Sequence, residues 1–166
     1  MKHRILASLF ALVLFAMPFG EAAAQGTQVP FGSLSHDTSA PVEISSDELT
    51  VNQADGTAEF RGNVVVGQGE MRLSAGLVRV EYAADAGRIA RFRAEGGVTF
   101  VNGSEAAEAE EAVYDLESGE VVLSGGVILS EGDNALSADR LVIDLRSGTG
   151  RMEGSVRTIL RTGDQQ

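Results

Sequence analysis

The chain has no cysteine and no tryptophan, three prolines and two histidines, and Lys2 is its one lysine. Without cysteine there are no disulfides and no thiolate metal sites, so the fold must hold by burial alone. Beyond the first few residues the only histidine is His36, in a polar stretch. No serine or carboxylate is placed to make a triad with it, so it reads as a solvated loop imidazole. Phosphate-cradling loops are missing too: Gly67-Gln68-Gly69 is not followed by a helix and reads as a turn. The formal net charge is −11, and no basic stripe exists to meet nucleic acid or an anionic membrane. Placed acids, bases and nucleophiles are lacking, which argues against an enzyme. The reading therefore assigns no catalytic residue, no metal ligand and no cofactor.

One long apolar run exists, Ile5 to Phe19, after Lys2, His3 and Arg4 and before Ala22-Ala23-Ala24. That order is a cleavable secretory signal over residues 1–24, and the run is short for a membrane span. Cleavage removes Lys2, Arg4 and Glu21 from 13 basic and 24 acidic residues, leaving 11 against 23 and a net −12. An exported chain without cysteine points to a periplasm. Residues 25–40 are polar with Pro30 and Gly32 and read as a flexible leader. Residues 41–161 form one domain, and 162–166 a disordered tail.

Within that domain a unit recurs four times. With Asp47 as anchor, the matching positions are Gly76, Glu110 and Asp139, at spacings of 29, 34 and 29 residues. Fifteen residues after three anchors stand Gly62, Gly125 and Gly154, with Gly96 as the counterpart in the longer second unit. Such self-similarity reports stacked structural units. Inside each unit the apolar period is 2, the period of a strand. It slips once per unit at the anchor, which requires a bulge or corner there. The best helical rival is Ser104 to Val113, SEAAEAEEAV; it too reads as strand, because Tyr114 and Leu116 keep the repeat's phase. Each unit yields three or four short strands, about 12 to 16 in all, near the usual length of five or six residues.

The inward set follows from the alternation. It comprises Leu49, Val51, Phe60, Val64 and Val66 in the first unit, then Met71, Leu73, Val78, Val80, Val98 and Phe100. Tyr114, Leu123, Val127, Leu129, Leu136, Leu141 and Ile143 complete it. These side chains line one face along the stack, either as a sealed core or as a groove for an apolar chain. Pro41 makes Val42 to Ile44 an edge strand, and Val156, Thr158 and Leu160 mark the other open edge. Neither end carries an obvious polar cap. Glu105, Glu108, Glu110 and Glu111 read as a solvated acidic face. Arg88, Arg91 and Arg93 read as neutralising neighbouring acids on the outer face, with an anionic ligand as the alternative.

The motifs PVEISSD (41–47), AEFRGNVVV (58–66), GQGEMRLSA (67–75) and SADRL (137–141) together resemble the OstA-like domain family, and in particular the A component of the periplasmic lipopolysaccharide-transport bridge. The resemblance runs from about Pro41 to Leu160. It implies an all-β fold, a twisted open β-jellyroll of two facing antiparallel sheets built from the four repeats. It also implies that the interior binds the acyl chains of lipid A, that Val42 and Ile44 form a docking edge, and that copies stack head to tail. The implied partners are lipopolysaccharide, the inner-membrane C component and the outer-membrane D component. The membrane-anchored C component, another OstA-like module, and a ligand-free structural β-stack stay open as alternatives. Lysine contacts to lipid phosphates are excluded in the mature chain.

Overall fold

A computed structural model describes residues 27–30, 37–83 and 87–159, the first of these by backbone alone. The signal segment, His36, Leu160 and the tail lie outside the described residues. The strands in order are β1 (Thr27–Pro30), β2 (Val42–Ser45), β3 (Glu48–Asn52), β4 (Thr57–Gln68) and β5 (Met71–Tyr82). There follow β6 (Ile89–Asn102), β7 (Glu105–Asp115), β8 (Glu120–Glu131), β9 (Asn134–Asp144), β10 (Thr149–Glu153) and β11 (Arg157–Ile159). The described residues contain no helix.

All pairings are antiparallel, and they join the strands into one 11-stranded sheet. The central order is β10-β9-β8-β7-β6-β5-β4. β2 and β3 both pair with β4, on residues 65–68 and 57–61 respectively. At the other end β10 and β11 both pair with β9, on 140–144 and 135–137. Each long strand shifts register once near its middle, between Arg61 and Val64, Ser74 and Leu77, Glu95 and Val98, Glu108 and Glu111, and Ser124 and Val127. These shifts line up across the sheet and fold it lengthwise. The first layer holds β3, the halves of β4 to β9 near their first-layer turns, and β10. The second holds β2, the other halves and β11. The jellyroll that the resemblance implies is thus present, with its two faces continuous through the bends.

The fold line is made by the anchors and the glycines fifteen residues on. Asp47 N–H donates to the Gly62 carbonyl at 3.0 Å, and Asp139 N–H to that of Gly154 at 3.0 Å. Gly62 and Gly154 have φ of 73° and 74°, followed by Asn63 and Ser155, both at 46°. Two successive residues with positive φ reverse the local bend, and glycine adopts that geometry without strain. Asn63 then donates to Asp47 Oδ2 at 2.8 Å, and Ser155 Oγ to Asp139 Oδ2 at 3.2 Å. In the second unit, Gly76 and Gly96 instead let two backbones approach closely.

Three expectations change. The strands are 11 to 14 residues long from β4 to β9, not five or six, because a bulge bends a strand without ending its ladder. Thr27–Pro30, within the expected leader, pairs with β10 as strand β1. The far end of the first layer therefore carries a cap. Glu105 is 1% exposed and belongs to the interior, unlike the solvated face expected for it. Its partner across the ladder is Asn102, itself buried, and alternation turns both inward.

Candidate functional site

The space between the layers is the one place where the repeat concentrates apolar side chains. Val64, Val66, Met71, Leu73, Val78, Val80, Val98 and Phe100 are each 2% exposed or less. The same holds for Tyr114, Leu123, Val127, Leu129, Leu141 and Ile143. All belong to a single buried cluster drawing on both layers, with Phe60, Val42 and Ile44 packed against it half-buried. Phe92, Val121, Leu145 and Met152, outside the inward set named above, are equally buried. Val121 and Leu145 keep the period of Leu123 and Ile143, whereas the register supplies Phe92, which faces Tyr114 across the ladder, and Met152, which faces Leu141. Ala58, Ala94, Ala107 and Ala112 fill the remaining inward positions and are too small to stand out in a pattern of large residues.

Leu49 and Val51 depart from the rest. They pair with Phe60 and Ala58, so register puts them on the inner face. Yet they are 53% and 60% exposed. The interior thus runs out into solvent at the β3 end. At the opposite end of the second layer Val156 and the three β11 residues are exposed, Ile159 by 61%. Of the edge residues expected there, Thr158 pairs with the inward Leu136.

A buried polar bridge joins the layers. Tyr114 Oη, in the first layer, donates to Gln68 Oε1, in the second, at 2.8 Å. Gln68 Nε2 in turn donates to the carbonyls of Thr38 at 2.8 Å and Ala40 at 2.9 Å. Burial raises the Tyr114 phenol above its ordinary value, so it stays a neutral donor. A buried amide needs all these partners, because an unmade bond there costs about 1–3 kcal/mol.

The interior is closed to water along most of its length. Two clefts of about 600 and 420 Å³ open instead beside outward residues such as Glu43, Ser45 and Arg72, and Ser74 and Thr99. The outer face of the first layer is a ladder of ion pairs. Glu59 accepts from Arg79 at 2.8 Å and also pairs with Arg61, and those partners lower its carboxyl, Arg79 first. Arg91 reaches Asp115 at 3.1 Å and Glu81 at 3.4 Å, and Arg93 reaches Glu81 at 3.5 Å. Arg91 and Arg93 are therefore engaged with acids on the outer face, as the acidic excess suggests, while Arg88 is exposed. Such pairs fix register and solubility more than stability.

Comparison with known proteins places this architecture. Residues 43–149 match the family model described as LptA/(LptD N-terminal domain) LPS transport protein. An uncharacterized protein of Rhizobium meliloti (strain 1021) is 31% identical over 128 residues, covering 72% of this chain and 69% of that protein. Among solved structures, LptH of Pseudomonas aeruginosa superposes with a TM-score of 0.67 at 16% identity, covering 75% of this chain and 98% of that one. LptH is described as the LptA-homologous periplasmic component of a lipopolysaccharide transport device. The model match runs from β2 to the start of β10, and on it the chain belongs to the LptA/LptD N-terminal domain family of lipopolysaccharide transport proteins, which is not an enzyme family.

Proposed function

We propose that this chain is a periplasmic carrier and bridge that holds lipopolysaccharide acyl chains between its two layers and hands them along a head-to-tail stack. The observation that carries the reading is the repeat-long apolar interior that becomes solvent-exposed at Leu49 and Val51. A saturated chain gains about 0.8 kcal/mol per buried CH₂, so a dozen contribute on the order of 10 kcal/mol before ordering costs. The interior is closed without ligand, so entry proceeds by parting the lips formed by the two rows of hairpin turns. Parting in water exposes hydrocarbon; parting around an acyl chain exchanges one hydrocarbon contact for another.

The strand directions support stacking. Strands alternate in direction from β4 to β10, so β3 of a second copy has the sense an antiparallel partner of β10 needs. The same holds for β2 against β11. An edge added to a neighbour's sheet is β-augmentation, and because the two ends differ the contact can propagate. The inner-membrane C component and outer-membrane D component would take the terminal positions. The export signal and periplasmic location belong to this proposal, as does supply of transport energy by a partner.

The closed interior favours one rival, a structural stack with no ligand. Photo-crosslinking separates the two. Leu73 and Ser74 are neighbours on opposite faces, as are Leu129 and Ile128. Crosslinkers at Leu73 and Leu129 are expected to capture lipid A at least tenfold more than those at Ser74 and Ile128. Equal, background-level capture at all four would leave the structural stack standing.

A further inference from the structure

We propose that β1 is a self-supplied plug, occupying on β10 the position that β3 of an incoming copy would take. The inference rests on the head-to-tail reading above. β1 pairs antiparallel with β10 over four residues: Thr27 with Met152, Gln28 with Arg151, Val29 with Gly150 and Pro30 with Thr149. β10 spans only five residues, so its outer edge is nearly filled. β1 has the direction that β3 of a second copy must have, since each is an antiparallel neighbour. The two therefore compete for one row of backbone donors and acceptors.

β1 is poorly suited to extend the sheet itself. It is four residues long and ends in Pro30, which has no N–H to offer a further strand. Short strands and proline are common means of blunting an edge. The far end of the second layer differs: β11 pairs with β9 and takes no further strand among the described residues. That asymmetry makes docking a two-step event. An incoming copy can first place its β2 on β11, whose three residues give a weak hold. The complete interface forms only when β3 displaces β1. A tethered strand competes at an effective concentration on the order of millimolar, so free copies stay apart. A copy already held through the second layer competes on equal terms.

The absence of cysteine gives a direct test in the chain beginning at Gln25. Gln28→Cys with Arg151→Cys joins a facing pair, whose Cα separation in an antiparallel ladder is compatible with a disulfide. Sedimentation velocity is expected to show the oxidised variant monomeric at concentrations where the reduced variant, and Arg151→Cys alone, associate. Conversely, Val29→Pro is expected to lower the concentration for half-association at least tenfold. It should also speed amide exchange at residues 149–153. Equal association of the oxidised and reduced forms overturns the plug and leaves stacking intact. Unchanged exchange in Val29→Pro also overturns the plug alone, since β1 then does not cover β10. Faster exchange without association at any concentration overturns the stacking reading, and the plug with it.

Discussion

At the residue scale, the fold depends on a few positions where backbone geometry excludes side chains. Gly125 and Gly126 are adjacent, both with positive φ, 87° and 71°. A Cβ on Gly125 would lie 2.6 Å from the Glu110 Cβ, which cannot swing away, whereas one on Gly126 meets nothing within 4 Å. Both alanine substitutions carry the left-handed cost of about 1–2 kcal/mol. Gly125→Ala adds an overlap with the anchor of the third unit. Urea unfolding should therefore show Gly125→Ala less stable than Gly126→Ala by at least about 1 kcal/mol; equal losses would mean that the corner has room. The anchor-to-glycine spacing of fifteen was legible in the chain. Its meaning, a side chain resting against a bare backbone across the fold line, was not. A period gives sequence distance, and the register gives the contact.

At the element scale, several first-layer turns are built alike. Asp115 Oδ1 accepts from the amides of Glu117 and Ser118 at 3.1 and 3.0 Å, and Asp144 Oδ1 from those of Arg146 and Ser147 at 2.9 and 3.0 Å. These bonds favour the charged carboxylate and hold both aspartates below their ordinary value, the Ser118 and Ser147 amides contributing most. A carboxyl lowered in the folded state adds stability that is fully present above the ordinary value of 3.8 and is lost as pH falls below that value and through the lower one of the folded chain. In Asp115→Asn with Asp144→Asn, unfolding free energy should fall less steeply between about pH 5 and 2 than in the natural chain. An unchanged slope would show that the turns do not carry the acid sensitivity. Strand β7 was readable despite its alanines and glutamates. Strand lengths were not, because a bulge and a strand end leave the same slip in an alternating pattern. β1 was invisible for another reason: four residues without alternation carry no period, and only the free edge of β10 makes them a strand.

At the scale of the whole molecule, fifteen of the inward residues named from alternation are buried together, and Leu49 and Val51 are the informative exceptions. Sequence assigns a side chain to a face; it cannot say whether the opposite layer extends far enough to cover it. Nor could it distinguish a sealed core from a groove, since both need the same residues. Closure along most of the length turns that question into one of motion. The lips are the first-layer turns around residues 53–56, 116–119 and 145–148, facing the second-layer turns around 69–70, 103–104 and 132–133. Among the described residues the Tyr114–Gln68 bridge ties the two layers across this gap. Packed sheets stand about 10 Å apart, and a fatty chain needs additional width of roughly its own diameter.

The most direct test is therefore a distance across the lips. Glu117 and Asp133 are exposed on opposite rows of turns, and the lack of other cysteines lets spin labels be placed at Glu117→Cys and Asp133→Cys alone. Double electron–electron resonance should show one distance without ligand and a distribution about 4 Å or more longer once lipid A is bound, consistent with a chain lodged between sheets. Bound lipid A with the lip distance unchanged would contradict the account.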